Sequence, residues 1–377
     1  MHDRGGGARD AVHAPRDGSH ERHALRRPPP HAEGPVPGRA RRARRGAPLA
    51  LGTHARRDGA RDFALTPRVI FLGTPAFAVP SLAALAVLAD DGAIEIATVV
   101  TQPDRAGDRG KVEPSAVKRR ALELGLPVRQ PVLFDADAAA ELIALRPDAL
   151  VWAAYGNLIP RRLIDAVRGR ALNVHASLLP RWRGASPVAH AILAGDTETG
   201  VTLMEGTVSL DRGPIVAQSS VRIGPEDTAG SLTAQLAELG GALLRRVLPG
   251  YLAGERRGEP QDEKHAMWAP KLATKDGELH FTEPAEALAR RVRAMTPEPG
   301  AWTTVDGQRL GVLRASVTGG RGVQYGTFEL REGVPHVAGG AGWLRLDEVR
   351  PSGKRAMTGA QWARGLRGLS ADTRLPS

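Results

Sequence analysis

Residues 149–184 read ALVWAAYGNLIPRRLIDAVRGRALNVHASLLPRWRG. Ala149 to Ala154 is a continuous apolar run of strand length, Arg161 to Val167 carries helical spacing, and Ala171-Leu172 opens a second apolar run that closes on Asn173, Val174 and His175. Two buried strands around one helix predict parallel pairing in an α/β sheet. Side chains two apart on a strand share a face, so the Asn173 amide and the His175 imidazole are aimed into one space. That space lies beyond the carboxyl end of the strand, where open α/β sheets bind ligands. An amide donor beside a titratable ring can stabilise an oxyanion. Taken alone, the pair reads more readily as a buried strand end with a satisfied histidine.

Towards the N-terminus the alternation continues. Val69 to Leu72 reads as a strand, Gly73-Thr74-Pro75 as a turn and Phe77 to Leu88 as a helix. A strand at Ile94 to Thr101, a helix at Ser115 to Leu124, a short strand at Val128 to Gln130 and a helix at Ala136 to Leu145 follow. Regular exchange of strands and helices predicts a doubly wound, mainly parallel, Rossmann-like sheet. The first turn, GTPAFAVP, lacks both G-x-G-x-x-G and a Gly-Lys-Ser/Thr phosphate loop, so it reads as a connector. Towards the C-terminus come a helix at Ala185 to Leu193, strands at Val201 to Glu205 and Pro214 to Val221, and a helix capped at Asp227 or Thr228 that runs to Leu248. Glu255 to Lys271 is polar, holds Pro260 and Pro270, and reads as a linker. Beyond it, Leu279 to Phe281, Ala301 to Val305, Leu310 to Val317, Gly326 to Leu330 and Gly342 to Val349 read as strands, with helices at Pro284 to Met295 and Gly359 to Leu366. Turn signals at Asp306-Gly307, Gly319-Gly320 and Glu332-Gly333 separate them, and a partly open β-barrel is the expectation.

The chain of 377 residues is long enough for two domains with cores of their own. It has no cysteine, which excludes disulfides, thiol nucleophiles and thiolate metal sites. No apolar run approaches the ~18 residues needed to cross a bilayer. The net charge of +11 suggests nucleic acid until it is located. Residues 1–67 hold 14 Arg against 7 acidic residues, 68–253 and 254–272 are neutral, and 273–377 carry +4. The excess on patterned sequence thus lies at the C-terminal end. Residues 1–67 show no periodicity and one aromatic residue, Phe63, and read as a disordered basic tail without secretory or transit character. Met1 is the only methionine before Met204, so an over-extended start, with translation beginning near Leu65 or Val69, is an alternative expectation.

Three further stretches could carry chemistry. Asp211 lies in a Gly-flanked connection where a carboxylate could orient the imidazole, or serve only as a turn residue before Arg212-Gly213. The loop opened by Gln102-Pro103-Asp104-Arg105 contains Arg109-Gly110-Lys111 and could touch phosphates or be solvated surface. Ala154 to Pro160 could wall a flat heterocycle or be one more strand-to-helix turn.

Together, FLGTPAFAVPSL, TQPDRAGDRGK, AYGNLIP, LNVHASLLPRWRGASPV, AGDTETGVTLME, SLDRGPI and KLATKDGELHF closely resemble the methionyl-tRNA formyltransferase family, in family order from Arg68 almost to the end. The resemblance implies a formyltransferase catalytic domain over 68–253, a linker over 254–272 and an OB-like, tRNA-binding β-barrel domain over 273–377. It implies transfer of the formyl group of 10-formyltetrahydrofolate to the amino group of methionyl initiator tRNA, without metal or covalent enzyme intermediate. Asn173 and protonated His175 would stabilise the oxyanion, and Asp211 would hold the imidazole or a relaying water. Tyr155, Gly156, Asn157, Leu158, Ile159 and Pro160, with Ser177, Leu178, Leu179 and Pro180, would bind the folate. Arg109, Lys111, Arg181 and Arg183 would reach the tRNA. A monomer in the cytoplasm, away from membranes, is the accompanying expectation.

The family usually has Met-Asp-x-Gly-Leu-Asp-Thr-Gly where this chain has Gly206-Thr207-Val208-Ser209-Leu210-Asp211-Arg212-Gly213, which sets Arg212 up as a competitor of His175 for the carboxylate. The basic loop is one residue short, with Val112-Glu113 in place of a more basic, apolar segment. Two alternatives stand beside this reading. The same chemistry could act on a small amine such as an amino sugar nucleotide, which the extra C-terminal domain argues against. A non-catalytic RNA-binding protein would have no need for Asn173, His175 and Asp211 together.

Overall fold

The computed structural model describes residues 66–106, 112–320, 323–366 and 375. The tail reading for residues 1–65, and Arg109 and Lys111, lie outside the described residues. The N-terminal half follows the alternating pattern: β1 (Arg68–Gly73), α1 (Val79–Asp90), β2 (Glu95–Val100), the two-residue β3 (Arg105–Ala106) and β4 (Val112–Glu113), α2 (Ala116–Glu123), β5 (Val128–Arg129), α3 (Ala136–Ala144), β6 (Ala149–Ala153), α4 (Arg161–Ala166) and β7 (Ala171–His175). Then come β8 (Arg183–Gly184), α5 (Pro187–Ala194), β9 (Glu198–Glu205), β10 (Ile215–Arg222) and α6 (Ala229–Leu252). Seven strands form one sheet in the order β10-β9-β7-β6-β1-β2-β5. β1, β2, β5, β6 and β7 pair in parallel, and β9 and β10 complete the edge antiparallel.

The central strands are apolar on both faces because helices cover both. Val69 and Phe71 enter one core with Leu82 and Leu85 of α1 and Leu236 and Leu244 of α6. Ile70 and Leu72 enter the opposite core with Leu142 of α3 and Leu163 of α4. Side-chain caps fix the helix starts: Ser115 accepts from Lys118 N, Asp135 from Asp137 N and Ala138 N, and Thr228 from Ser231 N. Thr228 rather than Asp227 is the N-cap of α6, and the helix does not stop at Leu248. It runs through Pro249 to Leu252 because Tyr251 and Leu252 are buried in the first core, which offsets the backbone hydrogen bond that Pro249 cannot make.

The segment after α6 is not a slack connection. Its strand β11 (Trp268–Ala269) pairs in parallel with β8, Trp268 against Arg183 and Ala269 against Gly184. Beyond it lie α7 (Ala285–Met295), β12 (Ala301–Val305), β13 (Gln308–Thr318), β14 (Phe328–Arg331), β15 (Val334–Ala338), β16 (Trp343–Pro351), β17 (Met357–Thr358) and α8 (Gly359–Arg364). These strands form an antiparallel sheet in the order β12-β13-β16-β15-β14, with β17 on β16. The path is open, ending on β12 and β14. Asp306-Gly307 and Glu332-Gly333 each have positive φ at both residues, which makes the β12-β13 and β14-β15 turns the primed type that suits hairpin twist. Leu279 to Phe281 does not extend as a strand. One bridge forms between Glu278 and Trp302, while Leu279 and Phe281 are buried in a separate core with Leu288, Val312 and Leu344. No helix among the described residues is long and apolar enough to cross a membrane.

Candidate active site

β6, β7 and β9 carry the floor of a cleft of about 610 Å³. Leu172 and Val174 face the first core, so Asn173 and His175 face the other way, each 7% exposed. Asn173 is in register with Trp152 of β6 and Met204 of β9, and all three line the cleft. Asp211, 6% exposed, hangs over them from the β9–β10 loop. Its backbone is left-handed at φ 53, which turns the carboxylate back towards β7. Asp211 Oδ2 accepts the Gly184 N–H at 2.9 Å. Asp211 Oδ1 takes a long hydrogen bond from Asn173 Nδ2 at 3.5 Å and lies 3.6 Å from His175 Nδ1. The other ring nitrogen, Nε2, donates to the Trp182 carbonyl at 3.0 Å, since a carbonyl can only accept. Trp182 sits at φ 63, which points that carbonyl inward. Asn173 and Asp211 therefore border the cleft, and His175 stands directly behind them.

Of the stretch expected to hold a flat ring, Asn157, Leu158, Ile159 and Pro160 line the cleft. Tyr155 does not: its ring is buried, edge-on to Phe134 at 5.5 Å, and burial pushes its phenol pKa up. Its carbonyl accepts from Thr74 Oγ1 and Gln102 Nε2, both at 3.0 Å. Gly156, at φ 88, lets Gln102 approach where a Cβ would stand. Both residues shape the turn. Ser177, Leu178, Leu179 and Pro180 also lie outside the cleft lining. Ser177 Oγ donates to Arg181 O at 2.7 Å, Leu179 N to Thr202 Oγ1 at 3.0 Å, and the Pro180 carbonyl accepts from Met267 N at 3.3 Å. They form the scaffold that presents His175. Leu178 borders a separate hollow of about 350 Å³ with Arg181 and Asp196.

The two cations expected on the acceptor side differ. Arg181 is partly exposed, grips Asp196 at 2.6 and 2.9 Å and lies 4.4 Å over the Trp182 ring. Arg183 is only 2% exposed, so its placement among tRNA contacts needs correction. It gives Nε and Nη2 to Gln261 Oε1 at 3.0 and 2.7 Å, and both terminal nitrogens to Glu263 at 2.9 Å. These bonds hold the Glu263 carboxyl below the usual carboxylate range. With four of its five N–H donors spent inside the protein and almost no exposed surface, this guanidinium is poorly placed to hold a phosphate.

The loop before Asp211, which the family resemblance also implies at the folate, puts Val208 and Leu210, 56% and 51% exposed, at the rim, while Phe134, Trp152 and Met204 were not anticipated from the sequence. An indole inside an apolar strand reads as core, so nothing in the pattern distinguished Trp152. Among the described residues, no three His, Asp or Glu side chains converge as metal ligands.

The chain matches a formyl transferase family model over residues 67–248 and a formyl transferase C-terminal domain model over 271–367. The methionyl-tRNA formyltransferase of Myxococcus xanthus is 44% identical over 301 residues, covering 79% of this chain and 95% of that protein. That of Thiobacillus denitrificans is 45% identical over 314 residues, covering 82% and 99%. The chain belongs to the methionyl-tRNA formyltransferase family. The fold is also that of an N-formyltransferase from Helicobacter canadensis solved with folinic acid and dTDP-3-aminofucose, at a TM-score of 0.56, 18% identity, and coverage of 75% of this chain and 99% of that one. Within the family, two departures of this chain have a physical account. A Cβ on Gly206 would stand 2.1 Å from Trp152 Cη2, so the indole occupies the space of the side chain usual there. Arg212 does not compete for Asp211. It is 60% exposed and turns outward, 4.0 Å from Glu263.

Proposed function

We propose that this protein transfers the formyl group of 10-formyltetrahydrofolate to the amino group of methionyl initiator tRNA, working as a monomer in the cytoplasm. The observation that carries the reading is that Asn173 and Asp211 border the cleft with His175 directly behind them, Asn173 and His175 each within 3.6 Å of the Asp211 carboxylate. A cavity of about 610 Å³ suits a drug-sized ligand, and the walls fit a flat heterocycle with an apolar arm: Trp152 and Ile159 inside, Leu158 and Leu210 at the rim. When bound, the folate supplies the formyl carbon and, at N10, the leaving nitrogen. Asn173 has one Nδ2 proton directed towards Asp211 and a second free for the oxyanion that develops when the amine attacks. Asp211 receives the amine proton directly or through one water, and His175 behind it shares that proton before it passes to the leaving nitrogen. The Trp182 carbonyl fixes the ring through Nε2 and keeps Nδ1 on the Asp211 side.

For the tRNA, Arg109 and Lys111 are the proposed acceptor-stem contacts, with Arg181 at the edge of the site and the +4 C-terminal segment supplying phosphate contacts. The test is formyl transfer to charged initiator tRNA beside charged elongator methionine tRNA. Fast transfer to the first and slow transfer to the second is the expected result. Transfer to dTDP-amino sugars with neither tRNA used would overturn the reading.

A further inference from the structure

The segment between α6 and β11 places Gln261 against the loop that carries Asp211. Gln261 is 9% exposed and every polar atom of its amide is engaged. Nε2 donates to the Asp211 carbonyl at 2.9 Å and to the Gly213 carbonyl at 2.7 Å. Oε1 accepts from Arg183 Nε and Nη2. With carbonyls on one side and a guanidinium on the other, the amide has one orientation, because flipping it would set donor against donor and acceptor against acceptor. Arg183 is held in turn by Glu263, two residues after Gln261 at the start of the short 3-10 turn Glu263–His265.

The start of the loop is tied to β7 by Gly206 N, which donates to the Ala171 carbonyl at 2.7 Å. Arg212 N to Ser209 O, at 3.4 Å, and Thr207 Oγ1 to Ser209 O, at 2.9 Å, stay inside it. The backbone of Asp211 and Gly213 is tied through Gln261, and the Asp211 carboxylate through Gly184 N and, at 3.5 Å, Asn173 Nδ2. Asp211 also holds a left-handed backbone without being glycine, a conformation that persists when its surroundings over-determine it. The Asp211–His175 separation of 3.6 Å is just outside hydrogen-bond length, so a rotation of this one peptide opens or closes the contact.

We propose that Gln261 is a positioning residue for formyl transfer: its amide fixes the Asp211 peptide and so sets the distance from the Asp211 carboxylate to His175 and Asn173. The proposal rests on the formyl-transfer reading above. It gives a residue outside both matched family blocks a part in the chemistry, through Asp211 and without touching substrate.

Two variants test it in the full chain, with 10-formyltetrahydrofolate and charged initiator tRNA as substrates. Gln261→Leu removes the donors and the acceptor. Gln261→Glu keeps an acceptor for Arg183, which preserves folding, but sets oxygen against the Asp211 and Gly213 carbonyls. Both are expected to lower kcat by about tenfold to a hundredfold, the scale of an ångström-sized misplacement. KM for both substrates stays within about threefold. Combined with Asp211→Asn, either variant adds less than about twofold, because the carboxylate it positions is already gone. A kcat within about twofold of wild type in Gln261→Glu, or losses that multiply fully in the double variant, overturns the proposal. A wild-type protein that does not formylate the tRNA sinks the underlying reading instead.

Discussion

Replacing Asp211 with Asn leaves the shape of the site and removes its charge. The carboxylate lies 3.6 Å from His175 Nδ1, which corresponds to an attraction of about 4–5 kcal/mol for a protonated ring at an effective dielectric near 20. The buried carboxylate, 6% exposed, also carries a desolvation cost that the amide avoids; if this returns roughly half, about 2–3 kcal/mol remains. Expressed in the barrier, that is about 30- to 150-fold in rate. Orientation adds to it. If the new amide oxygen keeps the Gly184 N–H, the new NH2 faces Asn173 Nδ2, donor against donor, which disturbs the amide that meets the oxyanion. Single-turnover transfer from 10-formyltetrahydrofolate to charged initiator tRNA reads the effect without product release. Thermal unfolding run in parallel should show a folded variant. A single-turnover rate within about fivefold of wild type in a folded Asp211→Asn protein would refute the electrostatic role.

Gly206→Met sets a side chain against the Trp152 ring, 2.1 Å from its Cη2, and should cost about 1–3 kcal/mol in denaturant unfolding; adding Trp152→Val should restore most of the loss. Arg183→Ala should lower the thermal midpoint yet leave the slope of log tRNA affinity against log salt unchanged. A fall of about one in that slope would put the guanidinium on a phosphate after all. His336 is buried in β15, and burial, partly opposed by its bond to the Val334 carbonyl, lowers its pKa. Its folded form therefore stays neutral where the unfolded chain takes up a proton. The stability it contributes is present above about pH 6.5 and falls away as the pH drops below that, so His336→Gln should flatten stability against pH in this window.

The sheet was legible because β1, β6 and β7 are buried on both faces and so read as unbroken apolar runs between glycines and prolines. Asn173 and His175 stood out because they interrupt that rule at a strand end. The start of α6 was legible to within one residue, as Asp227 or Thr228, through capping chemistry that needs no tertiary information. What failed depends on contacts distant in sequence. Pro249 stays helical because buried neighbours outweigh one lost hydrogen bond. β15 holds Pro335 as its second residue, which argues against a strand until its pairing with β16 is seen. Arg183 carries a charge that reads as surface, and only Gln261 and Glu263, about 80 residues on, reveal it as buried. Gln261 itself sits in polar sequence between prolines, where nothing local distinguishes it from a linker.

The parallel pairing of β8 with β11 bears on how these proteins can be recombined. The matched blocks end at residue 248 and resume at residue 271, which invites a crossover point anywhere between them. Yet β11 and Gln261 fall in that interval and are bonded to the first block. A chimera joined just after Leu248 would import a foreign partner for Gly184 and for the Asp211 loop. One joined after Lys271 would keep the first half's own, and could exchange the C-terminal half without disturbing the reaction centre.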